Sequence, residues 1–215
     1  MLCSTLAVED EAELLEAWRG GDRNAGSRLI AARGREITWF FRNKVFHEDA
    51  VADLVSQTFL RCVAAKTTFE GATSFRRFVY AIAKNVLREY LRTATKRARE
   101  EIDFEQVCLR SLEPRSMSSL HSEKRQVHAL LESLRDVSID DQIVLELKYF
   151  EGLSGSEIAD ALGIPEGTVR GRLARGLARL RTCVAERLQG PHASAASADE
   201  LEAGAGELRR LRGAQ

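Results

Sequence analysis

Apolar residues recur at helical rather than strand spacing along nearly the whole chain. Leu14, Leu15 and Trp18 form one apolar stripe, and Ile37, Phe40, Phe41 and Val45 form another. From Asp49 onward, Val51, Leu54, Val55, Thr58, Phe59 and Cys62 fall on a single helical face. Phe69-Glu-Gly-Ala-Thr-Ser74 interrupts the pattern as a loop, and Ser74 is placed to cap a long helix. In that helix Phe75, Phe78, Val79, Ile82 and Val86 align on one side at about 100° per residue. Arg77, Lys84, Arg88 and Arg92 align on the other, with Asn85 at the border. Such a face is ordinarily a solvated one. The near absence of acidic neighbours, Glu89 aside, turns it toward phosphate.

The second half continues the helical pattern. Val127, Leu130, Leu131 and Leu134 make a stripe, and Ser138 with Asp141 resembles a capping box ahead of buried Ile143, Val144 and Leu147. Gly152 ends that helix. Ser154 with Glu157 makes a second capping box, Gly163-Ile-Pro165 a turn, and Val169, Leu173, Leu177 and Leu180 the buried stripe of the last helix. The three prolines punctuate: Pro114 sits in a serine-rich stretch, Pro165 in the turn, and Pro191 opens a low-complexity tail. The expectation is an all-α chain of two small helical domains, at 9–98 and 122–189. A flexible linker at 99–121 joins them, and a tail follows at 190–215.

Composition excludes more than it assigns. With 32 basic and 32 acidic residues among 215, net charge is zero, so a uniformly basic nucleic-acid coat is ruled out. Local asymmetry remains. Glu9 to Glu13 is acidic, whereas 76–99 and 170–187 are strongly basic. Cys3, Cys62, Cys108 and Cys183 are scattered and the four histidines isolated, so no metal site, cofactor or disulfide framework is expected. No apolar run is long enough to span a membrane and no signal-peptide pattern appears, so a reduced, cytoplasmic protein is expected. No phosphate loop or triad signature is present, and the acidic pairs Glu9-Asp-Glu11 and Asp140-Asp141 read as solvated cap residues. An enzyme is not expected.

Leu153 to Arg181 carries the most information: two helices, a tight turn, and a second helix loaded with arginine, the layout of a DNA-reading helix-turn-helix. Thr168, Arg172, Arg175 and Arg179 share one stripe away from the expected buried face, with Arg170 and Arg181 on the opposite flank. Groove docking uses such a line to face base edges and such flanks to reach phosphates. Gly171 and Gly176 cost about 1 kcal/mol each relative to alanine inside a helix. Either they admit close backbone approach to DNA or they are tolerated.

Taken together, the motifs resemble the group IV, or extracytoplasmic-function (ECF), sigma factors of bacterial RNA polymerase, from about Leu14 to Leu188. Asp53-Leu-Val-Ser-Gln-Thr-Phe-Leu60 resembles the family's helix that docks on the polymerase beta-prime clamp. That implies core-binding roles for Asp53, Leu54, Gln57 and Phe59. Phe69 to Phe75 resembles the loop that captures a flipped −10 base, and Phe75 to Leu91 the −10 helix. The resemblance gives −10 contacts to Phe69, Ser74, Arg77, Lys84, Asn85 and Arg88, with Phe69 and Asn85 lining the base pocket. Ile164 to Arg170 resembles the opening of the −35 reader, which assigns −35 contacts to Thr168, Arg170, Arg172, Arg175 and Arg179. Ser56 and Gln57 stand where the family has glutamine and an acid, and Phe78 where it has tryptophan. The implied partners are core polymerase (beta-prime clamp and beta flap), promoter DNA and an anti-sigma factor. The alternative is a stand-alone helix-turn-helix regulator with an all-helical N-terminal domain.

Overall fold

The computed structural model describes residues 8–45, 47–65, 74–94, 103–104, 106–109 and 125–188. Among these, the protein is all-α, apart from one isolated bridge between Cys108 and Ser138. The helices are α1 (Val8–Arg19), α2 (Arg23–Arg42), α3 (Glu48–Ala65), α4 (Phe75–Ala94), α5 (Arg125–Leu134), α6 (Ile139–Tyr149), α7 (Gly155–Leu162) and α8 (Glu166–Leu188). The chain divides into two compact units, residues 1–93 with 160–163 and residues 94–159 with 164–215.

In the first unit the expected stripes meet. Leu14, Leu15 and Trp18 of α1 pack with Leu29, Ile37, Phe40 and Phe41 of α2, and Val51, Leu54, Phe59 and Cys62 of α3 are buried. Trp18 meets Phe75 edge to face at 5.8 Å, and Phe40 meets Tyr80 likewise. The α1–α2 corner depends on two glycines. Gly21 sits at φ +106°, the left-handed region only glycine enters cheaply, and Asp22 then caps α2 by accepting from the N–H groups of Asn24 and Ala25. At Gly26 a methyl group would lie 2.3 Å from Trp18 Nε1, so only glycine lets α2 close on that ring. The buried face of α4 is wider than its periodicity suggests. Phe75, Phe78, Val79, Tyr80, Ala83, Val86, Leu87 and Leu91 are buried, whereas Ile82 is half-buried.

The second unit is organised around α6. Ser138 caps it, its hydroxyl accepting from Asp141 N–H. The next two orphan donors are met from upstream: Ile139 N–H donates to Val107 O and Asp140 N–H to Phe104 O, each at 3.0 Å. Phe104 and Leu109 are buried, so part of the 99–121 stretch belongs to this core. After α6, Gly152 adopts φ +70° while Leu153 N–H returns to Leu147 O. Ser154 and Glu157 form a reciprocal capping box, with Ser154 N–H donating to Glu157 and Glu157 N–H to the Ser154 hydroxyl. Gly163, at φ +64°, makes the turn into α8.

Candidate nucleic-acid interface

The N-terminus of α4 is held by a buried charge network. Glu11 accepts from Arg76 N–H at 2.9 Å and from Arg33 Nη2 at 3.1 Å. Glu36 accepts from Arg33 Nη1 at 2.9 Å and from Arg76 Nε at 3.2 Å. Glu11 is therefore not a solvated cap residue. It is buried, and it supplies negative charge to the positive end of α4. Its distance in sequence from Arg76 hid the pairing. Ser74 caps the same helix, its hydroxyl accepting from Arg77 N–H at 3.4 Å. Along the outer side of α4, Asn85 is exposed and Arg77, Lys84 and Arg88 are half-buried on one face. Phe69 lies outside the described residues.

On α3 the structure splits the residues given core-binding roles. Asp53 and Gln57 are exposed, but Leu54 and Phe59 are buried and cannot meet a partner. They belong to the apolar face that packs α3 into its own unit. The outer face instead carries Leu60, 69% exposed, and Val63, 44% exposed, the large hydrophobics left uncovered among the described residues. Their mismatch with the helix's own apolar face was readable from the sequence. Arg61 joins α3 to α4 through a two-pronged bridge to Glu89, whose carboxyl it holds below the usual carboxylate range.

The arginines of α8 are sorted by acidic residues of the neighbouring segment. Arg172, read as a base-facing side chain, is buried and paired with buried Asp140 at 2.8 Å. Arg175 clamps Asp141 with two bonds of 2.8 Å, yet its side chain stays 55% exposed. Arg179 Nε donates to the Asp136 carbonyl at 3.4 Å, and Arg187 pairs with the Asp136 carboxylate. Asp140 and Asp141 are thus anchors rather than solvated caps. The buried face runs through Val169, Arg172, Gly176, Leu180 and Cys183, leaving Leu173 and Leu177 half-buried. It is rotated toward Arg172 by about 55° from the hydrophobic stripe, counted at about 100° per residue. The solvent face is then Gly167, Arg170, Gly171, Ala174 and Ala178, with Thr168 half-buried beside it. The two glycines part company: at Gly176 a methyl group would lie 3.0 Å from Leu145, whereas nothing is within 4 Å at Gly171.

Two helical units, one ending in a helix-turn-helix with its arginines oriented by carboxylates, define a DNA-binding transcription protein. Residues 125–180 match the family described as Sigma-70, region 4. The chain is 26% identical over 176 residues to the ECF RNA polymerase sigma-E factor of Haemophilus influenzae, covering 78% of the chain and 91% of the relative. It is 29% identical over 175 residues to the ECF RNA polymerase sigma factor SigC of Mycobacterium tuberculosis, covering 79% and 89%. Its fold is similar to CnrH, solved with the cytosolic domain of CnrY, at a TM-score of 0.59 and 22% identity over 80% of the chain and 96% of that chain. The chain thus carries a sigma-70 region 4 domain and is similar to ECF RNA polymerase sigma factors over more than three quarters of its length. It acts as an RNA polymerase sigma factor, and the stand-alone regulator is set aside. No described helix is long and apolar enough to cross a membrane, and no described cluster of His, Cys, Asp and Glu is arranged to hold a metal.

Proposed function

We propose that the two units divide promoter recognition between them. The outer face of α3 docks on the beta-prime clamp through Asp53 and Gln57, with Leu60 and Val63 supplying the apolar centre such contacts need. The basic side of α4, Arg77, Lys84 and Arg88, tracks the −10 strand, Asn85 and Phe69 meet the flipped base, and Ser74 stands at the helix start. In the second unit Arg170 and Thr168 meet the −35 duplex. Arg175, fixed by Asp141, presents a preorganised guanidinium, and Arg179 reaches phosphate from the rim. Arg172 leaves the reading set and supports α8 from beneath. An apolar hollow lined by Leu130, Leu134, Tyr149, Phe150 and Leu177 suits the beta flap. An anti-sigma factor covering these faces holds the protein silent. Work with polymerase places it in the cytoplasm, with no catalysis of its own.

The observation that carries this reading is the pair of distinct outward faces within one unit, α3 acidic and apolar, α4 basic. A duplex-binding regulator uses neither. Purified protein mixed with core polymerase tests it. The expected result is a stable complex that opens promoter DNA. Asn85→Ala then lowers open-complex formation while leaving −35 duplex binding intact, and Arg170→Ala weakens −35 binding by about 1–3 kcal/mol. Tight duplex binding without any core complex overturns the reading.

A further inference from the structure

Residues 103–104 and 106–109, expected from the sequence to be linker, form a strap laid against the start of α6. One turn shapes it: Asp103 O accepts from Gln106 N–H at 3.1 Å and from Val107 N–H at 2.9 Å. Buried Phe104 and Leu109 anchor its two ends, and the isolated bridge pairs Cys108 with Ser138. Three amides of α6 precede the helix's first internal bond, from Gln142 N–H to Ser138 O. The Ser138 hydroxyl meets one of them, Asp141 N–H, and the strap's carbonyls meet the other two. Asp140 is thus tied on both sides. Its amide donates to Phe104 O at 3.0 Å, and its carboxylate pairs with Arg172 at 2.8 Å. Asp141, next along the turn, clamps Arg175. Helix α8 also rests directly on this turn, since a methyl group at Gly176 would lie 3.2 Å from Asp141 Cβ.

The carboxylates that orient Arg172 and Arg175 therefore share one helical turn, whose leading amides are held from upstream. Without the strap, two of those amides pass to water, and a terminal turn so released frays at little cost. Charge-assisted bonds of 2.8 Å leave little slack, so a turn that shifts carries the Arg175 guanidinium with it. We propose that the strap governs −35 reading from behind. Docked, it fixes Asp140 and Asp141 and so preorganises Arg175 for DNA; undocked, it leaves the reader loosened. Phe104 is the positioning residue, acting through Asp140 and touching no DNA itself. The inference rests on the −35 reading above. The strap's effect on DNA and the effect of DNA on the strap are one coupling free energy, so −35 duplex must in turn hold the strap in place. A segment that only completed the core would show no such reciprocity.

The test uses holoenzyme assembled from core polymerase and the full chain, with two promoter fragments. One is a duplex carrying the −35 element, the other a forked −10 fragment lacking it. F104A should weaken binding to the −35 duplex roughly 5- to 150-fold and leave the forked fragment unchanged. It should also speed hydrogen exchange in the peptide that covers Ile139 and Asp140, and F104L should recover most of both effects. In wild-type holoenzyme, adding the −35 duplex should slow exchange in that same peptide. Wild-type −35 affinity in F104A overturns the proposal and leaves Phe104 a packing residue. So does an equal loss on both fragments, which assigns the segment to core polymerase. If F104A unfolds below the assay temperature, exchange in the wild type decides alone: a rate that the duplex leaves unchanged overturns the proposal. Wild-type holoenzyme that binds the −35 duplex keeps the −35 reading intact whichever way the Phe104 variants fall.

Discussion

Breaking the Arg172–Asp140 pair separates an arginine that builds the reader from one that reads. Both side chains are nearly sealed, at 8% and 3% exposure, and their closest approach is 2.8 Å. Removing one partner of such a pair strands the other charge in a low-dielectric site, which costs about 3–5 kcal/mol. Asp140→Ala and Arg172→Ala should each lower the unfolding free energy of the second unit by that order, a fall in Tm of about 10 °C or more. Arg170→Ala, on the exposed face, should change stability by less than about 0.5 kcal/mol. The apolar double replacement D140L/R172M should return much of the loss, because it removes both desolvated charges together. Urea unfolding of the full chain followed by circular dichroism reads the stability. Binding of the holoenzyme to a −35 duplex, measured below the transition, reads the function. If Arg172→Ala keeps the wild-type midpoint but abolishes −35 binding, the buried role is wrong and Arg172 faces DNA.

The two α8 glycines should respond in opposite directions. Gly176→Ala presses a methyl group against Leu145 and Asp141 and should destabilise by about 1–3 kcal/mol, whereas Gly171→Ala meets open space and should stabilise the helix by up to about 1 kcal/mol; urea midpoints check both. Burial pushes the Cys62 thiol up to about 12, so at mildly alkaline pH it should resist alkylation until denaturant is added, read by peptide mass spectrometry. Arg61 depresses the Glu89 carboxyl, so the bridge's contribution is full above the ordinary carboxylate range and lost as pH falls through the folded value. Both side chains are more than a third exposed, so Glu89→Gln should cost under about 1 kcal/mol near neutrality and nothing in strong acid; a difference that persists in acid refutes the assignment.

Periodicity and capping determined the local structure. The helices, the Ser138 and Ser154 caps and the turns at Gly152 and Gly163 depend on residues within a few positions of one another, and such interactions are written directly into the chain. The motif order from Asp53 to Arg170 likewise pointed to the family without any fold in hand. Tertiary structure decided which polar residues were available. A helical wheel ranks positions by hydrophobicity alone, so it placed Arg172 outside. The carboxylate that draws it in comes from another helix 32 residues earlier, and the pairing appears only when α6 and α8 are side by side. Glu11 and Arg76 are separated by 65 residues and follow the same rule. Leu54 and Phe59 show the converse: a motif marks a whole helix, while packing decides that its apolar side turns inward and that Leu60 and Val63 are left exposed. Charge pairing between distant segments is a property of the fold, and it sets which arginines of α8 are drawn into ion pairs and which, like Arg170, stay on the solvent face.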